Sequence, residues 1–444
     1  MKIHAIGGYD EVGKNMTALE IGEDVILFDA GLFLPAIVGV QEKEKIPTEK
    51  GMRSLGALPD DVYLEKHNLK DKVRAILVSH AHLDHVGGIP YIAPRYKAPV
   101  LGTPFTMSVL QVLMKDSNQS IHNRIIPIQL NASYTIKGKS GSYKVEFINM
   151  THSTIQSSII AVHTPEGIVL YGNDYKLDNS PVFGEKPNYH RLKELAKAGV
   201  SALIVDCLYA PDDRKTPSEK IAKGLLEDVF FTTDHSNHGM IITTFSSHIA
   251  RLKTIAELGK RINRKVIFLG RSLNKYVTAA ENVGLAPFKK DIQIITYRKH
   301  MERVLKRINK NKKDYLIVCT GHQGEPGSIL DRMSRNQIPL TLEKEDHVIF
   351  SSKTIPTPVN IESRRELEVR LKKKQVRIFD NVHVSGHGGR EDLRDLIKLV
   401  KPKHVIPSHG EAEKRSAGCE LAQEMGYKRD KTVHMIANSQ VIVI

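Results

Sequence analysis

Between Ser79 and Gly88 the chain reads SHAHLDHVGG, which sets His80, His82, Asp84 and His85 within six positions. Imidazole nitrogens and carboxylate oxygens in mixture suit zinc or manganese, and the lack of thiolates argues against a structural zinc finger. At the end of an extended strand, side chains two apart face the same way, so His80 and His82 can share one ion. Asp84 and His85 lie beyond the turn and can point toward a neighbouring ion. One histidine alone would read as an ordinary polar turn, whereas four donors in so short a span argue for a metal site. Val86, Gly87 and Gly88 then let the backbone pack closely as a helix begins.

Donors of this kind need a frame. VRAILVSH carries no polar residue from Ala75 to Val78, the mark of a strand covered on both faces. DVILFDAGLFLP, YKVEFINMTHS and GIVLYGNDYK are further apolar runs that end in clusters of donor-type residues. From about Asp206 the texture changes to short apolar strands alternating with amphipathic helices. In MIITTFSSHIARLKTIAELGKRI, Ile249, Leu252 and Ala256 share one helix face, and Ser246 or Ser247 suits the N-cap. In KVIFLGRSLNKYVTAAENVG, Gly284 suits a helix stop. This alternation predicts a doubly wound parallel sheet. Late in the chain, DNVHVSGHGG and KHVIPSHGE return to the early texture, so the second domain is expected to be inserted in the first. The expected boundaries are 1–205 and 373–444 for the split domain and 206–372 for the insert.

With 444 residues the chain exceeds one ordinary core, and 41% hydrophobic with 26% charged residues fits a globular protein. No apolar run is long enough to span a membrane, and the first residues lack the apolar stretch of a signal peptide. Three widely spaced cysteines, Cys207, Cys319 and Cys419, fit a reducing cytoplasm better than a disulfide framework. The net charge of +15 suits either a solvated basic surface or a polyanionic partner. RLKKKQVR is a basic run that reads as a solvated helix face or as a contact to a polyanion, and His235 and His238 in TTDHSNHG read as a polar loop.

The stretch from His80 to His85 matches the HxHxDH signature of the metallo-β-lactamase fold, an αββα sandwich. That resemblance implies the remaining donors: His152 in NMTHST, Asp174 in YGND and His409 in PSHGE, with Asp29 in LFDAG supporting the ligand loop. His80, His82 and His152 would hold one zinc, Asp84, His85 and His409 the other, and Asp174 would bridge. Two ions sharing a hydroxide suit in-line displacement at phosphorus, with manganese the alternative ion. The insert resembles the β-CASP module of nucleases, with Asp206 in LIVDCLY, His387 in HVSGHGG and His409 at its motif positions; a histidine at the last favours RNA over DNA. If Asp206 accepts a hydrogen bond from one nitrogen of His387, the other is oriented to protonate a leaving 3′ oxygen.

Within that family the chain is similar to the ribonuclease J group over nearly its whole length, through GGYDEVGKNM, FDAGL, SHAHLDHVGGIP, TTFSSHIAR, TGHQGEPGS, IFSSKTIP, HVSGHGG and PSHGE. The likeness implies a cytoplasmic 5′→3′ exoribonuclease acting on single-stranded RNA, with a 5′-phosphate pocket around His383, Val384, Ser385, Gly386 and His387, and Ser247 as a further contact. Expected partners are RNA, a second copy of the chain and other RNA-decay proteins, with no membrane. His322 replaces the usual serine of TGSQGEP, His248 replaces a common asparagine, and IPTPVN replaces IPGN. The chain stops about 35 residues after His409, which leaves no room for the extra C-terminal domain of bacterial members. The rival readings are a β-CASP endoribonuclease, a non-catalytic RNA-binding subunit and a small-molecule metallohydrolase.

Overall fold

Strands that end in donor residues are the theme of the architecture. The computed structural model describes residues 1–37, 48–355 and 358–444; Pro356 and Thr357 of the IPTPVN departure lie outside the described residues. The chain forms two compact units, one of Met1–Asn179, Gly184–Thr216 and Gly386–Ile444, the other of Ser180–Phe183 and Pro217–Ser385.

The first unit holds two mixed sheets. One runs, in spatial order, Val441–Val443, Lys2–Gly7, Met16–Ile21, Asp24–Phe28, Val73–Val78, Val100–Gly102 and Ile125–Pro127. The other runs His404–Ser408, Val200–Asp206, Gly167–Gly172, Ser158–Thr164, Ser142–Asn149 and Ser133–Lys137. Period-two alternation explains how they pack. Ile160, Val162, Ala202 and Ile204 join Phe28, Ala75 and Leu77 of the first sheet in one core. Their chain neighbours Ile159, Ala161, Leu203 and Val205 face the opposite way. They pack with Leu192 and Leu195 of helix Tyr189–Ala198 and with Leu393, Leu396 and Ile397 of helix Arg390–Val400. Strand Val73–Val78 lies parallel to both its neighbours and is buried at five of its six positions, as its unbroken apolar run requires.

The second unit is built on a six-stranded parallel sheet in the order Ile292–Ile295, Lys265–Leu269, Tyr315–Cys319, Met240–Thr243, His347–Phe350 and Arg377–Phe379. Helix Ile249–Arg261 buries Ile249, Leu252 and Ala256 together, as the spacing predicts. Its N-cap is neither Ser246 nor Ser247. His248 takes that position, with its Nδ1 accepting from the Arg251 amide at 3.3 Å. An imidazole nitrogen replaces the usual hydroxyl because the chain stays non-helical one residue further than the serines suggest. Helix Arg271–Asn282 ends at Val283, and Gly284 follows with φ of 73°. Among the described residues no helix is long and apolar enough to cross a membrane.

Candidate metal and catalytic centre

All seven donors expected from the sequence meet at the carboxyl ends of the first unit's strands. Val73–Val78 ends just before Ser79. His80 follows, and His82 is the extended N-cap of the one-turn helix Leu83–Val86, which carries Asp84 and His85. Asp174 lies two residues beyond Gly167–Gly172, and His409 one residue beyond His404–Ser408. Asp29, Asp174 and His409 all adopt left-handed backbone conformations, with φ of 56°, 58° and 55°. Gly88 permits the tight return of the ligand loop, since a Cβ there would lie 2.7 Å from the carbonyl oxygen of Ala30.

The donors fall into two sets. In the first, His80 Nε2 and His152 Nε2 lie 3.1 and 3.0 Å from His82 Nδ1, and 3.4 and 3.5 Å from Asp174 Oδ2. In the second, His85 Nε2 and His409 Nε2 lie 3.2 and 3.5 Å from Asp174 Oδ1, and 3.6 and 4.0 Å from Asp84 Oδ2. A tetrahedral ion with bonds of about 2.1 Å sets its ligands about 3.4 Å apart, so both sets fit a divalent cation. Asp174 gives one oxygen to each set. Among the described residues its Oδ1 is buried without a hydrogen-bond donor, an expensive arrangement for a carboxylate unless a cation completes it. Burial and neighbouring histidines hold His82 and His152 well below the ordinary imidazole range, which keeps both neutral and able to ligate.

The outward nitrogens are tied down as well. His85 Nδ1 donates to Asp29 Oδ2 at 2.7 Å, and Asp29 Oδ1 accepts from the Ser79 amide at 2.8 Å. His152 Nδ1 donates to the Gly386 carbonyl at 2.6 Å, and His409 Nδ1 to Asn15 Oδ1 at 2.9 Å. Such partners fix the tautomer, so the free nitrogen faces the ion. Asn15 went unassigned in the sequence reading. Its side-chain amide also donates to the Asp84 carbonyl at 3.0 Å, so one buried residue braces both ends of the second set. Its only sequence signal is its place in GGYDEVGKNM. Ser79 and Ser153 were also passed over; Ser153 Oγ lies 3.3 Å from His82 Nε2.

Asp206 closes strand Val200–Asp206 and accepts from His387 Nδ1 at 2.8 Å. His387 Nε2 is 3.8 Å from Asp174 Oδ2, beside both donor sets. Burial opposes charge on this ring, but the carboxylates of Asp174 and Asp206 outweigh it and lift His387 to about 9. Cations at Asp174 would draw that value down, since they neutralise one of the two carboxylates that raise it. Gly386 belongs to the same unit as His387, whereas Ser247, His383, Val384 and Ser385 belong to the second. There Ser247 and Val384 are buried, and Arg251 Nη1 approaches His383 Nδ1 at 3.5 Å. His235 and His238 join none of the metal-capable groups among the described residues.

Comparison with known proteins agrees with this geometry. Residues 9–178 match the metallo-beta-lactamase superfamily, 237–364 the ribonuclease J beta-CASP domain, and 373–435 the Zn-dependent metallo-hydrolase RNA specificity domain. Fold and site thus define a metallo-β-lactamase hydrolase with a β-CASP domain, a metal-dependent ribonuclease. The chain is 40% identical to ribonuclease J of Methanocaldococcus jannaschii, with 100% of this chain and 98% of that one covered. It is 41% identical to ribonuclease J of Pyrococcus abyssi, covering 100% and 97%. Against ribonuclease J2 of Bacillus subtilis the identity is 29%, covering 100% and 75%. The chain belongs to the ribonuclease J family. A crystal structure of a protein of unknown function from Enterococcus faecalis shares the fold, with a TM-score of 0.68 at 17% identity over 100% of this chain and 99% of that one.

Proposed function

We propose that the chain is a two-zinc exoribonuclease that degrades single-stranded RNA 5′→3′ from a 5′-monophosphate end. The observation that carries this reading is the bridging position of Asp174 between two donor sets, with the His387–Asp206 pair beside it. Two divalent ions held by these sets would supply an activated water and offset charge on the phosphate oxygens. Asp206 orients His387 through Nδ1, which leaves Nε2 to hand a proton to the departing 3′ oxygen. The product then keeps its phosphate on the 5′ side. For the 5′-phosphate we assign, within the second unit, the backbone and hydroxyls of His383, Val384 and Ser385 together with Ser247. Small residues expose amides and hydroxyls to phosphate oxygens, which supports that assignment. The buried free thiols of Cys207, Cys319 and Cys419 suit a reducing cytoplasm.

The test is end-labelled RNA, run with 5′-monophosphate and 5′-triphosphate ends. Release of the 5′ label at once as mononucleotide supports exonuclease action. Labelled internal fragments that appear first would replace it with the endonuclease reading.

A further inference from the structure

Helix Arg298–Ile308 divides its residues cleanly. Met301, Val304, Leu305 and Ile308 are buried in the second unit's core, while Lys299, Arg303, Lys306, Arg307 and Lys310 are exposed. Four of the five cations sit at i, i+4, i+7 and i+8 on one face of the helix, and Lys310 lies in the turn just beyond it. Among the described residues none of the five makes an ion pair. The other basic stretch of this unit behaves differently. Within RLKKKQVR, Arg370 pairs with Asp331, Lys372 with Glu368 and Arg377 with Glu345. RLKKKQVR is therefore largely neutralised within the fold, and the 299–310 face is not.

A second observation comes from the residue just before this helix. Tyr297 is 79% exposed, an unusual position for a large aromatic ring. It follows Ile292–Ile295, whose Ile295 lies opposite Leu269 of the adjacent parallel strand. The exposed Arg271 begins the helix after that strand. Tyr297 and Arg271 thus each follow the carboxyl end of one of two adjacent parallel strands, the usual ligand side of such a sheet.

We propose that this face is an RNA exosite, in which Lys299, Arg303, Lys306, Arg307 and Lys310 follow the phosphates of a single strand and Tyr297 stacks on a base. Unpaired cations in a row reward a polyanion through counterion release, and an exposed ring offers a sequence-tolerant platform. The inference rests on single-stranded RNA being the substrate. A row of cations together with a stacking ring matches a single strand of RNA, the occupant we assign.

The test uses the full chain carrying Lys299→Gln, Arg303→Gln, Arg307→Gln and Lys310→Gln. Binding is measured in a His387→Ala background so that RNA is not consumed. For an RNA of about thirty nucleotides, affinity should fall about tenfold or more near 0.1 M salt, and the slope of log K against log salt should lessen by about 2 to 3. Turnover of a tetranucleotide, with His387 intact, should stay unchanged. Tyr297→Ala should weaken long-RNA binding about fivefold or more, and Tyr297→Phe should restore it. Unchanged affinity and slope would overturn the exosite and leave the face to another partner. Equal losses on long and short RNA would overturn it too. If the unmodified chain hydrolyses neither RNA, the substrate reading itself fails.

Discussion

The pairing of Asp206 with His387 makes a claim about one proton. Replacing Asp206 by Asn keeps the side-chain shape but removes the carboxylate that accepts from His387 Nδ1 at 2.8 Å. An Asn oxygen can still accept, but without charge, and its amide can turn to donate instead. The ring then loses the preference that keeps its proton on Nδ1 and its charged form stable. A charge-assisted hydrogen bond of this kind contributes about 1.5 to 3 kcal/mol. Loss of general acid catalysis costs about 10² to 10⁴ in rate, or about 3 to 5 kcal/mol. Asp206→Asn should therefore slow RNA turnover about 100-fold, and His387→Ala somewhat more. The double variant should be little slower than His387→Ala alone, because the two act as a unit. The decisive assay compares RNA with bis(p-nitrophenyl) phosphate, whose leaving group departs without a proton. On that substrate both variants should retain most of their rate. Bound metal, measured by elemental analysis, should stay at the unmodified level. Equal losses on both substrates, or depletion of metal, would refute the assignment of His387 as proton donor.

Other expectations follow from the same geometry. Asp174→Ala removes the one carboxylate shared by both donor sets, so bound metal should fall well below the level of the unmodified chain; retention of that level would contradict the bridge. Asp29→Ala leaves the Ser79 amide and hydroxyl and His85 Nδ1 without their buried acceptor. At about 1 to 3 kcal/mol for each stranded group, the cost should reach several kcal/mol, read as a lower urea midpoint. In the second unit, His347 is fully buried with neither ring nitrogen hydrogen-bonded, and burial together with Arg377 lowers it to about 4. Its folded value lies below the ordinary 6.5, so the unfolded chain binds the proton first as pH falls. Stability should decline between about pH 6.5 and 4, by up to about 3 kcal/mol from this group. His347→Leu should lose that component, so denaturation midpoints of the two proteins should converge or cross as the pH is lowered. A constant gap between them from pH 7.5 to 5 would count against it.

Much of the centre was legible in the linear sequence because its chemistry is local. His80, His82, Asp84 and His85 follow one strand, and their spacing alone makes them a shared-ion motif. The apolar run within Val73–Val78 likewise announced a strand covered on both faces. Where the local signal misled, the three-dimensional structure corrected it: two serines suited the start of helix Ile249–Arg261, and His248 takes that place. Asn15 could not be found in this way. Its partners His409 and Asp84 lie 394 and 69 residues away, and an asparagine in a glycine-rich turn has no spacing of its own to read. The two basic runs make the same point with charge. Composition counts Arg370 and Lys306 alike, yet Asp331 neutralises the first from 39 residues away and nothing among the described residues pairs with the second. Sequence by itself determined which residues could ligate, alternate or carry charge, since those are properties of residue type and near neighbours. Only the tertiary structure decided which donors converge, which ring nitrogens are held outward and which cations stay unpaired, because distance through space is set by packing across the whole chain.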